Sequence, residues 1–409
     1  MVQRHGAPTD PNKRVEIVDI IRGFALFGVL LVNMTLFKST LFYWEQIPHY
    51  SGDINVFFGW MIELLATGKF YPIFSFLFGL GFYFFVSRAQ KKGLKVGKLY
   101  RRRILGLLIF GLIHLVFIWS GDILHLYSVG GLFLLVFSTM SDKTIKKLMV
   151  FFFCLAVIIQ GGIVFAETLT AEEDLTAEID PREKRLQLKE DATGVYQEGD
   201  FLDILRFRVV NEVPYVMLNI LLSLPDILFL FLLGLYAGRK KIFMKIGEYR
   251  QKFRWTLNRT LPIGVIGTLV YYLIMVDSIG LGPIAGDVLA EMIFYVASIS
   301  LAVTYICSLS LLSQYNFPMR ILSPLSNVGK MALTNYLTQS LISVSIFYGY
   351  GAGLFEQVSV TGGVAITVGI YTLQMIWSWI WMSRFRFGPF EWLWRSFTYQ
   401  EFPPIKLSS

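Results

Sequence analysis

Charge is what this sequence has least of. Asp, Glu, Lys and Arg make up 16% of its 409 residues, whereas soluble globular domains carry roughly 25%. A chain of this size therefore has too little charge to cover its surface in water. Cysteine is nearly absent as well: Cys154 and Cys307 both sit inside apolar runs, which excludes a disulfide scaffold and points to free thiols buried in the fold. No fixed-period repeat, collagen-like triplet or low-complexity tail is present. The first apolar run carries Asp19 and Arg22 and is followed by no small-residue cleavage site, so it is expected to remain as a helix rather than to be removed as a signal peptide.

Apolar residues are abundant, at 55% of the chain with 36 Phe. They fall into runs near 18–37, 54–87, 103–120, 122–140, 147–166, 213–238, 260–276, 287–312, 331–349 and 361–383. A helix rising 1.5 Å per residue needs about 20 residues to cross roughly 30 Å of hydrocarbon. The expected fold is therefore an all-α polytopic bundle of about ten transmembrane helices in a lipid bilayer. The second run is too long for one span and breaks at Thr67-Gly68-Lys69, giving an outer amphipathic stretch followed by the span 70–86. Two five-helix halves, 1–166 and 213–383, flank an extracytoplasmic acidic segment at 167–212, and a cytoplasmic interfacial tail follows at 384–409.

The net charge of +8 is very uneven. Between Glu167 and Asp203 there are twelve acids and four bases, so that segment carries −8 and the rest of the chain +16. Eight bases and no acid lie between Arg88 and Arg103, and bases outnumber acids in the gaps at 141–147, 239–259 and 313–330 as well. With the N-terminus (Lys13, Arg14) and C-terminus both cytoplasmic, every basic gap falls inside and the acidic segment falls outside. The positive charge thus reports orientation and calls for no nucleic-acid partner. The acidic segment is expected to be a solvated connector.

Ionisable groups within spans cost at least about 2.5–3.5 kcal/mol each and are functional candidates by default. The richest stretch runs from Gly111 to Tyr127 and contains His114, Asp122 and His125. A tight hairpin at Ser120-Gly121 brings His114 and Asp122 within reach of each other. That pairing serves either as a general base whose tautomer is fixed by a carboxylate or as a helix cap beside a buried histidine. Asp122-x-x-His125 shares a helical face, yet no third metal ligand is evident, so no metal site is expected. Asp19 and Arg22 are neighbours at i,i+3, and Asn33 lies three turns further along the same helix. Arg22 and Asn33 can line one internal path, or snorkel and bond a neighbouring helix. Lys69, Tyr127, Asp226 and Asn335 complete the candidates for that path, with interhelical pairing as the alternative for Asp226 and Asn335. In the tail, Glu391 and Arg395 lie at i,i+4 between tryptophans, the pattern of an interfacial helix.

Five of these motifs occur in one order in the YeiB-like bacterial membrane proteins, which the chain resembles over nearly its whole length. They are Asp19-x-x-Arg22-Gly with Leu31-Val-Asn33, Leu77-Phe-Gly-Leu-Gly81, Gly111-x-x-His114 with Gly121-Asp-Ile-Leu-x-x-Tyr127, Met331-Ala-Leu-Thr-Asn-Tyr336, and Gly388-Pro-x-Glu-Trp-Leu-Trp-Arg395. More distantly, the first span is similar to that of the transmembrane acyltransferases, which include glycan O-acetyltransferases and the heparan glucosaminide acetyltransferase. That resemblance implies transfer of an acyl group, with acetyl foremost, from cytoplasmic acyl-CoA to a hydroxyl on an extracytoplasmic cell-envelope glycan or lipid. It implies no permanently bound cofactor and places the chain in a bacterial cytoplasmic (inner) membrane. The glycan enzymes carry Arg, ten residues, then His in this helix. Here Asn33 stands at that place, so the base is expected at His114, with His49 as the second candidate. Arg22 and Asn33 would line the donor channel, and Asn33 or Tyr127 would bond the developing oxyanion. The competing expectation is a proton-coupled secondary transporter using Asp226, Asp122 and His114.

Overall fold

The computed structural model describes residues 15–40, 52–173 and 181–407. Lys13, Arg14 and His49 lie outside the described residues. Within them the backbone is helical apart from loops and one isolated bridge between Phe385 and Lys406. A helix satisfies its own N–H and C=O groups, as hydrocarbon demands. The helices are α1 (Glu16–Lys38), α2 (Asp53–Leu65), α3 (Phe70–Lys91), α4 (Val96–Ile113), α5 (Leu124–Phe137), α6 (Asp142–Glu173), α7 (Pro181–Glu198) and α8 (Phe201–Phe207). They continue with α9 (Val213–Arg239), α10 (Ile246–Met275), α11 (Pro283–Leu312), α12 (Asn316–Lys330), α13 (Ala332–Phe347), α14 (Val360–Met382) and α15 (Pro389–Tyr399).

Seven helical stretches among the described residues are long and apolar enough to cross a membrane: α1, the α2–α3 stretch, most of α6, the stretch 201–239 ending in α9, α10, α11 and α14. The protein is an all-helical, multi-pass membrane protein. The remaining three apolar runs also form helices but are shorter or more charged. Helix α5 has 14 residues and α13 has 16, about 21 and 24 Å of rise, while α4 carries Arg101, Arg102 and Arg103 in its first half.

Helix α1 is the hub. Ile20, Ile21, Ala25, Leu26 and Leu30 are buried around its circumference, and it packs against α3, α12, α13 and α14. Small residues set the closest crossings, because only a missing side chain lets two backbones meet. A Cβ on Gly23 would fall on the Leu325 carbonyl, and one on Gly329 on the Asp19 carbonyl, locking α1 against α12. Gly79 and Gly234 do the same between α3 and α9, against Phe231 and Phe76. The break between α2 and α3 is made by Gly68 at φ +77°, a conformation glycine adopts without strain.

Two expectations change. The acidic segment is not simply a solvated connector: Ala192, Tyr196 and Ile204 are buried, Gln197 Nε2 donates to the Phe355 carbonyl (2.9 Å) and Gly349 N donates to the Tyr196 carbonyl (2.8 Å). Of the two thiols, Cys307 is buried but Cys154 is exposed on the outward face of α6. The tail forms a helix as expected. Leu393 and Phe397 stay exposed on α15, while Trp394 Nε1 donates to the Arg103 carbonyl (2.7 Å) and its ring lies 3.7 Å from the Arg103 guanidinium.

Candidate functional site

The antiparallel course of α1 and α3 gathers charge at one end of the bundle. Asp19 and Arg22, one helical turn apart, are paired at 2.7 Å, and Arg22 Nη1 also donates to the Gly329 carbonyl (3.4 Å). Arg88, Lys91 and Lys92 at the end of α3, Arg103 on α4 and Arg395 on α15 meet them there. These residues form the mouth of a cavity of about 750 Å³. Its walls are largely aromatic and aliphatic, including Phe74, Phe78, Phe82 and Leu107, and Asn33, Gly121 and Tyr336 line the far end. A basic mouth leading to an apolar interior suits a ligand with an anionic head and an uncharged chain.

Beyond that far end lies the hairpin after α4. His114 Nδ1 and Asp122 Oδ2 are 2.8 Å apart, and both residues are buried. The other oxygen, Asp122 Oδ1, accepts from the backbone N–H of His125 (2.8 Å) and meets His125 Nδ1 at 2.8 Å. One carboxylate thus caps α5 and holds two imidazoles. With its Nδ1 proton directed at Asp122, His114 keeps Nε2 as the free lone pair, and that buried atom has no hydrogen-bond partner among the described residues. The chain can turn so tightly because residues 114–118 form a π-turn, closed by Trp119 N donating to the His114 carbonyl (2.8 Å). Such π-bulges concentrate at functional sites.

Gly111 supplies the remaining space. A Cβ there would lie 2.5 Å from His125 N and 3.0 Å from Asp122 Oδ1. Gly111→Ala is therefore expected to displace the carboxylate and to destabilise the fold by about 1–3 kcal/mol, read as a lowered midpoint in thermal unfolding of the detergent-solubilised protein.

The candidates from the sequence separate into three groups. Asp19, Arg22, Asn33 and Tyr127 border the cavity. His114 and Asp122 pair as expected but do not border it: the Tyr336 ring, 5.1 Å from the His114 ring and facing the cavity, stands between, with its hydroxyl donating to the Gly121 carbonyl (3.4 Å). Tyr127 Oη is 2.8 Å from Ser75 Oγ. Lys69, Asp226 and Asn335 are packed away from the cavity. Lys69 Nζ donates to the Glu63 carbonyl (2.8 Å) and lies 4.6 Å above the Phe294 ring. Asp226 accepts from the Tyr295 hydroxyl (2.6 Å) and from Tyr71. Asn335 Nδ2 donates to the Val328 carbonyl (3.1 Å) and Ser378 Oγ (3.0 Å).

Two features of the site go beyond the sequence expectations. One is Tyr336, the last residue of the Met331-Ala-Leu-Thr-Asn-Tyr336 motif, whose ring faces the cavity. The other is Glu391, whose carboxylate accepts from Leu333 N (2.6 Å), Thr334 N (3.1 Å) and Thr334 Oγ1 (2.6 Å), capping α13 from the tail helix. Burial pushes the Glu391 carboxyl above its ordinary range, against the opposing pull of Thr334 and the backbone amides.

Comparison with known proteins agrees with the ordered motifs. Residues 237–401 match a family described as "Protein of unknown function (DUF418)". The chain is 33% identical over 420 residues to the uncharacterized protein YxaH of Bacillus subtilis (strain 168), covering 97% of each. It is 27% identical over 424 residues to an uncharacterized 39.9 kDa protein in the amylase 3′ region of Bacillus acidopullulyticus, covering 98% of each. Its identity to the uncharacterized protein YeiB of Escherichia coli (strain K12) is 25% over 403 residues, or 93% of this chain and 95% of the relative. The chain belongs to the YeiB-like family of multi-pass membrane proteins.

Proposed function

We propose that this protein transfers an acyl group, with acetyl foremost, from cytoplasmic acyl-CoA to a hydroxyl of an extracytoplasmic cell-envelope acceptor. The observation that carries this reading is a single cavity that begins among Arg22, Arg88, Lys92 and Arg395 and ends at Tyr336, against the buried His114–Asp122 pair. In this reading about ten helices span the bacterial cytoplasmic membrane, with the basic mouth and both chain ends on the cytoplasmic side by the positive-inside bias. The phosphates of the donor meet the basic mouth, and its thioester arm extends along the aromatic walls.

Tyr336 moves aside to admit the thioester to His114. His114 Nε2 takes the proton of the acceptor hydroxyl as the oxygen attacks the thioester carbonyl. The tetrahedral intermediate collapses by breaking the C–S bond, and the imidazolium returns the proton to the departing thiolate. Asp122 holds the tautomer and stabilises the imidazolium, while Asn33 at the cavity's far end is placed to bond the oxyanion. A proton relay for solute transport through Asp226 has less support, because Tyr71 and Tyr295 hold that carboxylate off the cavity.

The test is direct. Purified protein in lipid nanodiscs, mixed with radiolabelled acetyl-CoA, is expected to bind the donor with an affinity that falls as salt is raised, and to release labelled acetate slowly or pass the label to added membrane extract. Absence of binding by acetyl-CoA and by longer acyl-CoAs overturns the proposal.

A further inference from the structure

The hairpin that carries His114 and Asp122 is also gripped from outside the dyad. A second π-turn, Arg208–Glu212, joins α8 to α9, and both of its charged residues are 1% exposed. Arg208 Nη1 donates to the carbonyl of Val116 (3.0 Å), in the middle of the His114–Ile118 turn. Glu212 bonds Ser120 and accepts from the hydroxyl of Tyr196 (2.9 Å) on α7. Arg208 Nε stands 3.9 Å from Glu212 Oε2, so the two charges offset each other. The pair therefore fastens the chain at two points, two residues after His114 and two residues before Asp122.

Stability alone gives little reason for this arrangement. A buried ion pair is often matched or exceeded by apolar residues of equal volume, and each π-turn departs from the regular α-helical bonding pattern. What the arrangement does supply is a fixed backbone under a side chain whose ring must be held in one orientation. We infer that Arg208 and Glu212 are positioning residues for His114, and that Tyr196 ties them to the extracytoplasmic helix α7. This deepens the acyl-transfer reading and rests on His114 being its base, but its consequences for the imidazole can be read without any turnover.

The full-length protein, with its histidine rings labelled with ¹⁵N and reconstituted in nanodiscs, is compared as wild type, Arg208→Gln and Tyr196→Phe. His114→Gln and His125→Gln assign the two buried rings. Wild-type His114 is expected to carry its proton on Nδ1 alone. Arg208→Gln is expected to give a mixture of both tautomers at His114 while His125, held to Asp122 by its own ring and backbone, is unchanged. Tyr196→Phe gives the same change to a smaller extent and decides the question if Arg208→Gln does not fold. An unaltered His114 spectrum in folded Arg208→Gln, or in Tyr196→Phe where the first does not fold, overturns the inference. In the same preparations kcat for acyl transfer falls about a hundredfold in Arg208→Gln, as for a small misplacement of a catalytic group, with KM for acyl-CoA retained. A tautomer change in a protein whose wild type transfers no acyl group upholds the positioning role and removes only the acyl-transfer reading.

Discussion

His114→Gln is expected to lower acyl transfer by about 10²–10⁴-fold, the usual contribution of a positioned general base, while binding of acyl-CoA is retained. Glutamine is chosen because it removes the basic lone pair at Nε2 while leaving a polar amide of similar reach in the buried site. In the proposed reading the donor's phosphates bind at the basic mouth, and Tyr336 stands between that mouth and His114, so chemistry and binding should separate cleanly. Single-turnover measurement with radiolabelled donor, beside equilibrium binding of the same donor, reads both quantities. Wild-type turnover in this variant would exclude His114 as the base and direct attention to His49.

The largest effect on assembly is expected from Gly329→Val. A Cβ at Gly329 would sit far inside contact distance of the Asp19 carbonyl oxygen, and Gly23 meets the Leu325 carbonyl in the same way on the facing helix. Both obstructions are backbone, so no change of rotamer relieves them and α1 must move away from α12. Overpacking usually costs about 1–3 kcal/mol, and a clash between main chains belongs at the upper end. Arg22 would also lose the Gly329 carbonyl, loosening the cavity mouth. Gly162 on α6 is the control: nothing lies within 4 Å of a Cβ placed there, and alanine at a helical glycine gains up to about 1 kcal/mol. Thermal unfolding in matched detergent should show Gly329→Val strongly destabilised or unassembled, and Gly162→Ala unchanged or slightly raised.

The helices were legible because hydrocarbon imposes one backbone solution, and runs of Phe, Leu, Ile and Val announce it. The break at Gly68 and the pairing of His114 with Asp122 were legible for local reasons, a glycine and an eight-residue separation across a tight turn. Packing between distant segments was not. Lys69 and Asn335 look identical in sequence to cavity-lining residues, yet each is satisfied by a neighbouring carbonyl or hydroxyl. Arg208 and Glu212 were concealed beside a strongly acidic stretch that reads as solvated, because nothing local reveals that Val116 and Ser120, about ninety residues earlier, will face them. Glu391 was visible as a polar residue among tryptophans, but its partners Leu333 and Thr334 lie on another helix.

That last contact bears on the order in which the protein is made. The ribosome delivers Arg22, His114 and Asp122 long before residues 389–399, yet α13 gains its cap, and the mouth gains Arg395, only when α15 docks. A nascent chain halted before Glu391 would hold the His114–Asp122 pair behind a cavity mouth that still lacks Arg395. Docking of the tail thus supplies at once the acceptor for the first amides of α13 and the last cation of the charged opening.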